Sequence, residues 1–235
     1  MDDNPVTERP AQDRRAVLRD ANVVGFAVGV YGLAFGVAAV TAGLSWGQAS
    51  ALSLLMFTGG SQFALVGVLG AGGGAVAAVT VAVVLGLRNG LYGLRLAALL
   101  PARAAARVAA AHLVIDESMA MASSRDDPPL ARLAFWATGL SVFLWWNLAT
   151  VIGALGAVRL GDPRVIGFDA VFPAAFLALT VPLVRGRPEL LTALFAAVLT
   201  VVLIPLTPPG VPVMVAIVAA IPALVAGEVV RRRRP

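Results

Sequence analysis

Four side chains combine charge or titration with an apolar setting: Arg88, His112, Asp116 and Glu117. Arg88 closes an uncharged apolar run that begins at Ala75, in the string Leu87–Arg88–Asn89–Gly90–Leu91–Tyr92–Gly93–Leu94–Arg95. A charge at the centre of a membrane span costs roughly 2.5–3.5 kcal/mol on insertion scales, so Arg88 either snorkels to a surface or faces a polar cavity. Gly86, Gly90 and Gly93 weaken the helix around it, and a break there would line such a cavity with backbone. His112, the one histidine, stands four residues before Asp116; on an unbroken helix the two share a face and can pair. Asp116 and Glu117 are adjacent acids in an apolar stretch and need a cation or a proton. Burial favours the protonated acid, which makes either a candidate proton carrier. The alternative is a cytoplasmic surface helix on which both acids are solvated.

A second polar group interrupts an apolar segment without any charge: Thr58–Gly59–Gly60–Ser61–Gln62. Glycine favours non-helical backbone, and Ser or Gln at bilayer depth requires a hydrogen-bond partner. The segment is either a re-entrant hairpin or an ordinary helix with a glycine-rich packing face. Asn147, beside Trp145 and Trp146 in mid-span, needs a partner in helix packing. Phe172–Pro173, Val181–Pro182, Ile204–Pro205 and Ile221–Pro222 place kinking prolines in or near apolar segments. No Walker loop, H-E-x-x-H or strand-to-helix G-x-G-x-x-G is present. Ser61 and His112 are formally available to an intramembrane serine protease, a reading opposed by the charges beside His112.

These residues must be positioned by membrane helices. Of 235 residues 59% are hydrophobic and 13% charged, about half the charge of a soluble domain. No charge occurs from Ala21 to Leu87, Leu133 to Val158, or Leu190 to Gly227, and roughly 20 apolar residues suffice to span a bilayer. Cysteine is absent, which excludes disulfides, thiolate catalysis and Cys-ligated metals; neither metal nor cofactor is expected. Every basic residue is arginine, and the net charge is +5, a surplus that in such a chain reads as topology rather than nucleic-acid binding.

The apolar segments are about 22–43, 48–70, 75–100, 133–158, 168–184, 190–206 and 211–228. Arg14, Arg15 and Arg19 precede the first, and Arg231 to Arg234 follow the last; arginine beside spans stays cytoplasmic, so both termini are expected inside. Seven segments conflict with that even parity. A re-entrant 48–70 resolves the conflict, as would a crossing by 108–124. The expected architecture is therefore all-α and polytopic, with six full spans plus the hairpin. Residues 1–20 form a cytoplasmic tail without a cleavable signal, 21–230 a single transmembrane domain, and 231–235 a basic tail.

Four motifs resemble the AzlC-type branched-chain amino acid permeases. They are Tyr31–Gly32–Leu33–Ala34–Phe35–Gly36–Val37–Ala38 with Ala42–Gly43–Leu44–Ser45, then Phe57–Thr58–Gly59–Gly60–Ser61–Gln62–Phe63–Ala64, Leu87–Arg88–Asn89–Gly90–Leu91–Tyr92–Gly93–Leu94, and His112–Leu113–Val114–Ile115–Asp116–Glu117. They cover residues 25–120 in order; from about 130 to 230 the agreement is in hydropathy and proline placement alone. The resemblance implies the large subunit of a two-component exporter of branched-chain amino acids in the cytoplasmic membrane, driven by protons. It also implies a small AzlD-type partner of about four spans. With no nucleotide-binding motif, the chain reads as a secondary transporter. Family members often carry Asn shortly before the arginine and His directly after it, where this chain has Gly86 and Asn89. Proton coupling would then fall to Asp116, Glu117 or His112.

On this reading the break Thr58, Gly59, Gly60, Ser61 and Gln62 binds the polar groups of the substrate, with Ser61 and Gln62 as direct contacts and Asn89 beside them. Arg88 serves the substrate carboxylate or holds Asp116 or Glu117. Phe57, Phe63 and nearby aliphatic residues receive the side chain. One methylene is worth about 1–3 kcal/mol in such a pocket, so Val, Leu, Ile and Met are expected to share the route. The rival readings are an accessory subunit without its own pathway and the protease.

Overall fold

The computed structural model describes residues 5–99, 103–160 and 186–216, with the single positions 177, 181 and 184. These residues are helical, with no strand among them. The helices are α1 (Pro5–Thr41), α2 (Trp46–Leu55), α3 (Gly60–Gly70), α4 (Ala75–Leu96), α5 (Ala104–His112), α6 (Asp116–Ser123), α7 (Pro128–Leu160), α8 (Arg187–Leu203) and α9 (Val211–Ala216). Three stretches are long and apolar enough to cross a membrane: Gln12–Thr41, Ala75–Leu96 and Pro128–Arg159.

The backbone of the molecule is the contact between α1 and α7. Gly25, Gly29, Gly32 and Gly36 recur on one face of α1 and meet Ser141, Trp145, Trp146 and Thr150 in the same order along α7, so the two helices run parallel. A Cβ at Gly36 would land on the Thr150 carbonyl oxygen, and one at Gly153 on that of Leu33. Only bare backbone permits this approach, the packing mode by which small residues join helices in lipid. Asn22 Oδ1 accepts from Trp145 Nε1 at 3.1 Å, and Asp20 pairs with Arg125 at 3.3 Å. This end, where α1 enters, is called the near end below.

Between these parallel helices the chain inserts two half-length hairpins from opposite ends. α2 starts at the far end, immediately after α1. It descends until Ser53 donates to Thr150 Oγ1 at 3.2 Å, beside Gly36. After the Met56–Gly59 break, α3 returns: Phe63 meets Phe35 with ring centroids 5.6 Å apart, and Gly70 is back beside Ala42. α4 then runs from the far end to the near end, where the Leu99 carbonyl accepts from Arg132 Nε at 3.0 Å. α5 rises from there to His112, the chain turns at Leu113–Ile115, and α6 descends again to Arg125 beside Asp20. At the far end Gly210, just before α9, sits against Val68 and Ala77.

Segment 48–70 is thus a helical hairpin broken at Met56–Gly59 and not one continuous helix, the shape that the re-entrant reading expected. The 102–124 region departs from the sequence expectation. Its helices Ala104–His112 and Asp116–Ser123 form a second hairpin and not one continuous helix, with Asp116 opening the returning arm. His112 and Asp116 consequently do not share a helical face, because three non-helical residues separate α5 from α6. Six full crossings are not seen: the described residues hold three. The expected segment 168–184, most of 211–228 and the 231–235 tail lie outside the described residues, as do Phe172–Pro173 and Ile221–Pro222.

Candidate functional site

The two hairpin tips meet inside the bundle, and the same local device builds both. In the first, Gly59 has φ +61, a left-handed conformation that glycine adopts without a Cβ penalty. Its N–H donates to Gln62 Oε1 at 3.0 Å, while Gln62 Nε2 donates to the Leu52 carbonyl across the hairpin at 3.2 Å. In the second, the Ile115 N–H donates to Ser118 Oγ at 3.0 Å, and that hydroxyl donates to the Leu113 carbonyl at 2.7 Å. In each case the third residue of the returning helix reaches back to the residue that caps it, satisfying a donor that would otherwise be orphaned. Both side chains are fully buried, where an unmet polar group is costly.

Arg88 stands on α4 between the tips. Its Nη2 lies 2.8 Å from Asp116 Oδ2, and a Cβ on Gly60 would come within 3.3 Å of the same nitrogen. One guanidinium therefore touches the first residue of both returning helices. Tyr92, one turn further along α4, is near enough to Asp116 and Arg88 to feel the charge of both. The N-terminal ends of α3 and α6 converge here together with the C-terminal ends of α2 and α5. Helix N-termini attract anions and C-termini attract cations, so the junction suits a molecule carrying both charges.

The remaining predicted residues divide by role. Ser61 is fully buried and its Oγ has no hydrogen-bond partner; Arg88 Nε and Asn89 Oδ1 are likewise buried and unpartnered. They belong to the tip of the first hairpin and to the stretch of α4 that carries the ion pair, and buried polar atoms without partners call for a ligand or water. Thr58 Oγ1 donates to the Met56 carbonyl at 3.2 Å and holds the turn. Gln62 is not free to contact a substrate, since both ends of its amide are used within the hairpin. Phe63 packs on Phe35 and Trp146 and belongs to the core behind α3. Phe57 is at the junction, its ring 6.0 Å from His112 and 5.1 Å from Phe143.

His112 sits among these rings, with no hydrogen bond or ion pair to Asp116 or Ser61 among the described residues. The serine nucleophile and histidine base of the protease reading are therefore not joined. Glu117 follows Asp116 in the first turn of α6 and forms no ion pair among the described residues. Tyr92 was not singled out from sequence; its spacing of four from Arg88 was the available signal. Asn147 finds its partner on its own helix, donating to the Phe143 carbonyl at 2.8 Å.

A protein-family model described as "AzlC protein" matches residues 23–160, the stretch that contains both hairpins and the helices around them. No curated protein and no solved structure matches the chain at a significant level.

Proposed function

The chain belongs to the AzlC family, and from that premise we propose that it is the large subunit of a two-component exporter, carrying Val, Leu, Ile and Met out of the cytoplasm in exchange for protons. Family membership and the apolar helices already make it a membrane protein with a transport-related role. The observation that carries the finer reading is the meeting of two oppositely inserted hairpins at Arg88. Discontinuous helices that end at mid-bilayer are how secondary transporters expose backbone to a small polar substrate. Each hairpin closes the site toward one side, so displacement of one tip opens the site to that side while the other keeps it shut.

The near end carries Arg19, Arg103, Arg107, Arg125 and Arg132, and the arginine bias supports a cytoplasmic position for it. The first hairpin then enters from outside and the second from inside. Arg88 receives the substrate carboxylate, aided by Ser61 Oγ and the first turn of α3. The aliphatic side chain lies toward Phe57. Since Asp116 is engaged by Arg88, Glu117 is the acid left to exchange a proton; Asn89, in the position where relatives often carry His, does not titrate. A small AzlD-type subunit completes the carrier in the cell membrane.

Labelled-leucine flux in vesicles, measured with and without the small subunit, tests this reading. Saturable flux that an imposed proton gradient drives, and that vanishes in Arg88→Ala, is expected. An accessory subunit without a pathway would give a well-folded Arg88→Ala variant with unaltered flux.

A further inference from the structure

We propose that the Arg88–Asp116 ion pair is itself the selectivity element, opened by a zwitterion whose carboxylate takes Arg88 while its ammonium takes Asp116. This rests on the reading of the chain as an amino acid carrier and gives Asp116 a role as ammonium receptor rather than proton carrier. The pair is half-open, with side-chain exposures of 36% for Arg88 and 43% for Asp116, so a small ligand reaches both partners. The unpartnered buried atoms of the first hairpin tip and of α4 at Arg88 are of two kinds. Ser61 Oγ and Arg88 Nε have hydrogens to offer a carboxylate, and Asn89 Oδ1 has lone pairs to offer an ammonium. Gly60 presents no side chain to the guanidinium, so the backbone of the first tip approaches Arg88 closely.

The physical consequence is an exchange without uncompensated charge. One internal ion pair becomes two ion pairs to the ligand, and neither Arg88 nor Asp116 is left alone in a poorly solvated site, the outcome that makes breaking such pairs expensive. A ligand with a carboxylate but no amine takes Arg88 and strands Asp116. A ligand with an amine but no carboxylate strands Arg88. The pair therefore rejects both, although each retains the aliphatic side chain that the pocket accepts.

The test is competition against labelled-leucine counterflow in vesicles holding the chain with its small subunit. Unlabelled leucine, the matching 2-oxo acid and isopentylamine serve as competitors. Leucine is expected to compete at least tenfold more strongly than either singly charged analogue. In Asp116→Asn, leucine affinity falls at least tenfold while the 2-oxo acid gains, because its carboxylate no longer strands an acid; misfolding cannot produce that gain. Equal competition by leucine and the 2-oxo acid in the unaltered protein overturns the proposal, as does an Asp116→Asn protein with the original preference. Where the Asn variant does not fold, the competition series on the unaltered protein decides alone. Absence of any leucine counterflow in the unaltered protein would instead remove the transporter reading and the proposal with it.

Discussion

Ser61 and Gln62 are neighbours of similar polarity, yet the structure gives them opposite work. The Gln62 amide joins the two arms of its hairpin and caps the returning helix. Gln62→Ala strands the Leu52 carbonyl and the Gly59 N–H, which costs about 1–3 kcal/mol each where buried; a lowered melting temperature of the purified protein is expected. Ser61 Oγ makes no bond to lose, so Ser61→Ala should leave the melting temperature within about a degree while weakening leucine binding several-fold. A similar melting-temperature loss in both variants would contradict this division. Arg88, Asp116 and the Gly–Gly–Ser–Gln break were all legible in the sequence as polar groups with no reason to be in an apolar segment. Which of them touch, and that Gln62 is a brace, was not: hydrogen bonds between residues ten apart depend on a turn whose direction the residue types leave open.

At the scale of elements, the glycine stripe of α1 and the two tips carry the arrangement. Gly36→Leu would drive its side chain into the Thr150 backbone, and overpacking of this kind costs typically 1–3 kcal/mol; reduced stability with separation of α1 and α7 is expected, measurable as a lowered melting temperature. Gly156 meets nothing within 4 Å, so Gly156→Leu serves as the neutral counterpart. The hairpins make a topological prediction that the absence of cysteine renders simple to check. Cysteines placed singly at Gly47 and Gly70 should both react with an impermeant thiol reagent from outside the cell, and those at Ala105 and Ser123 only from inside. Labelling of Gly47 and Gly70 from opposite sides would mean that α2 and α3 together cross the bilayer. The first hairpin was foreseeable from parity and from Gly59–Gly60. The second was hidden because Leu113–Val114–Ile115 contains no glycine or proline; the chain breaks there through a local brace from Ser118 to Ile115 and Leu113, which an apolar capping residue does not announce.

Across the whole molecule, charge is sorted by height. Arginines gather at the near end, the long helices between are almost free of charge, and the one ion pair between α4 and α6 lies where both hairpins stop. That sorting is why hydropathy gave the membrane class at once, while the number of crossings turns on how two short hairpins are counted. The central claim is that the junction of the tips holds an amino acid. Equilibrium binding of leucine to the purified complex, compared between the unaltered chain and Arg88→Ala at matched folding, tests it most directly. Saturable binding by the unaltered complex, weakened at least tenfold in the folded variant, is the expected result; equal leucine affinity in the two proteins would contradict it.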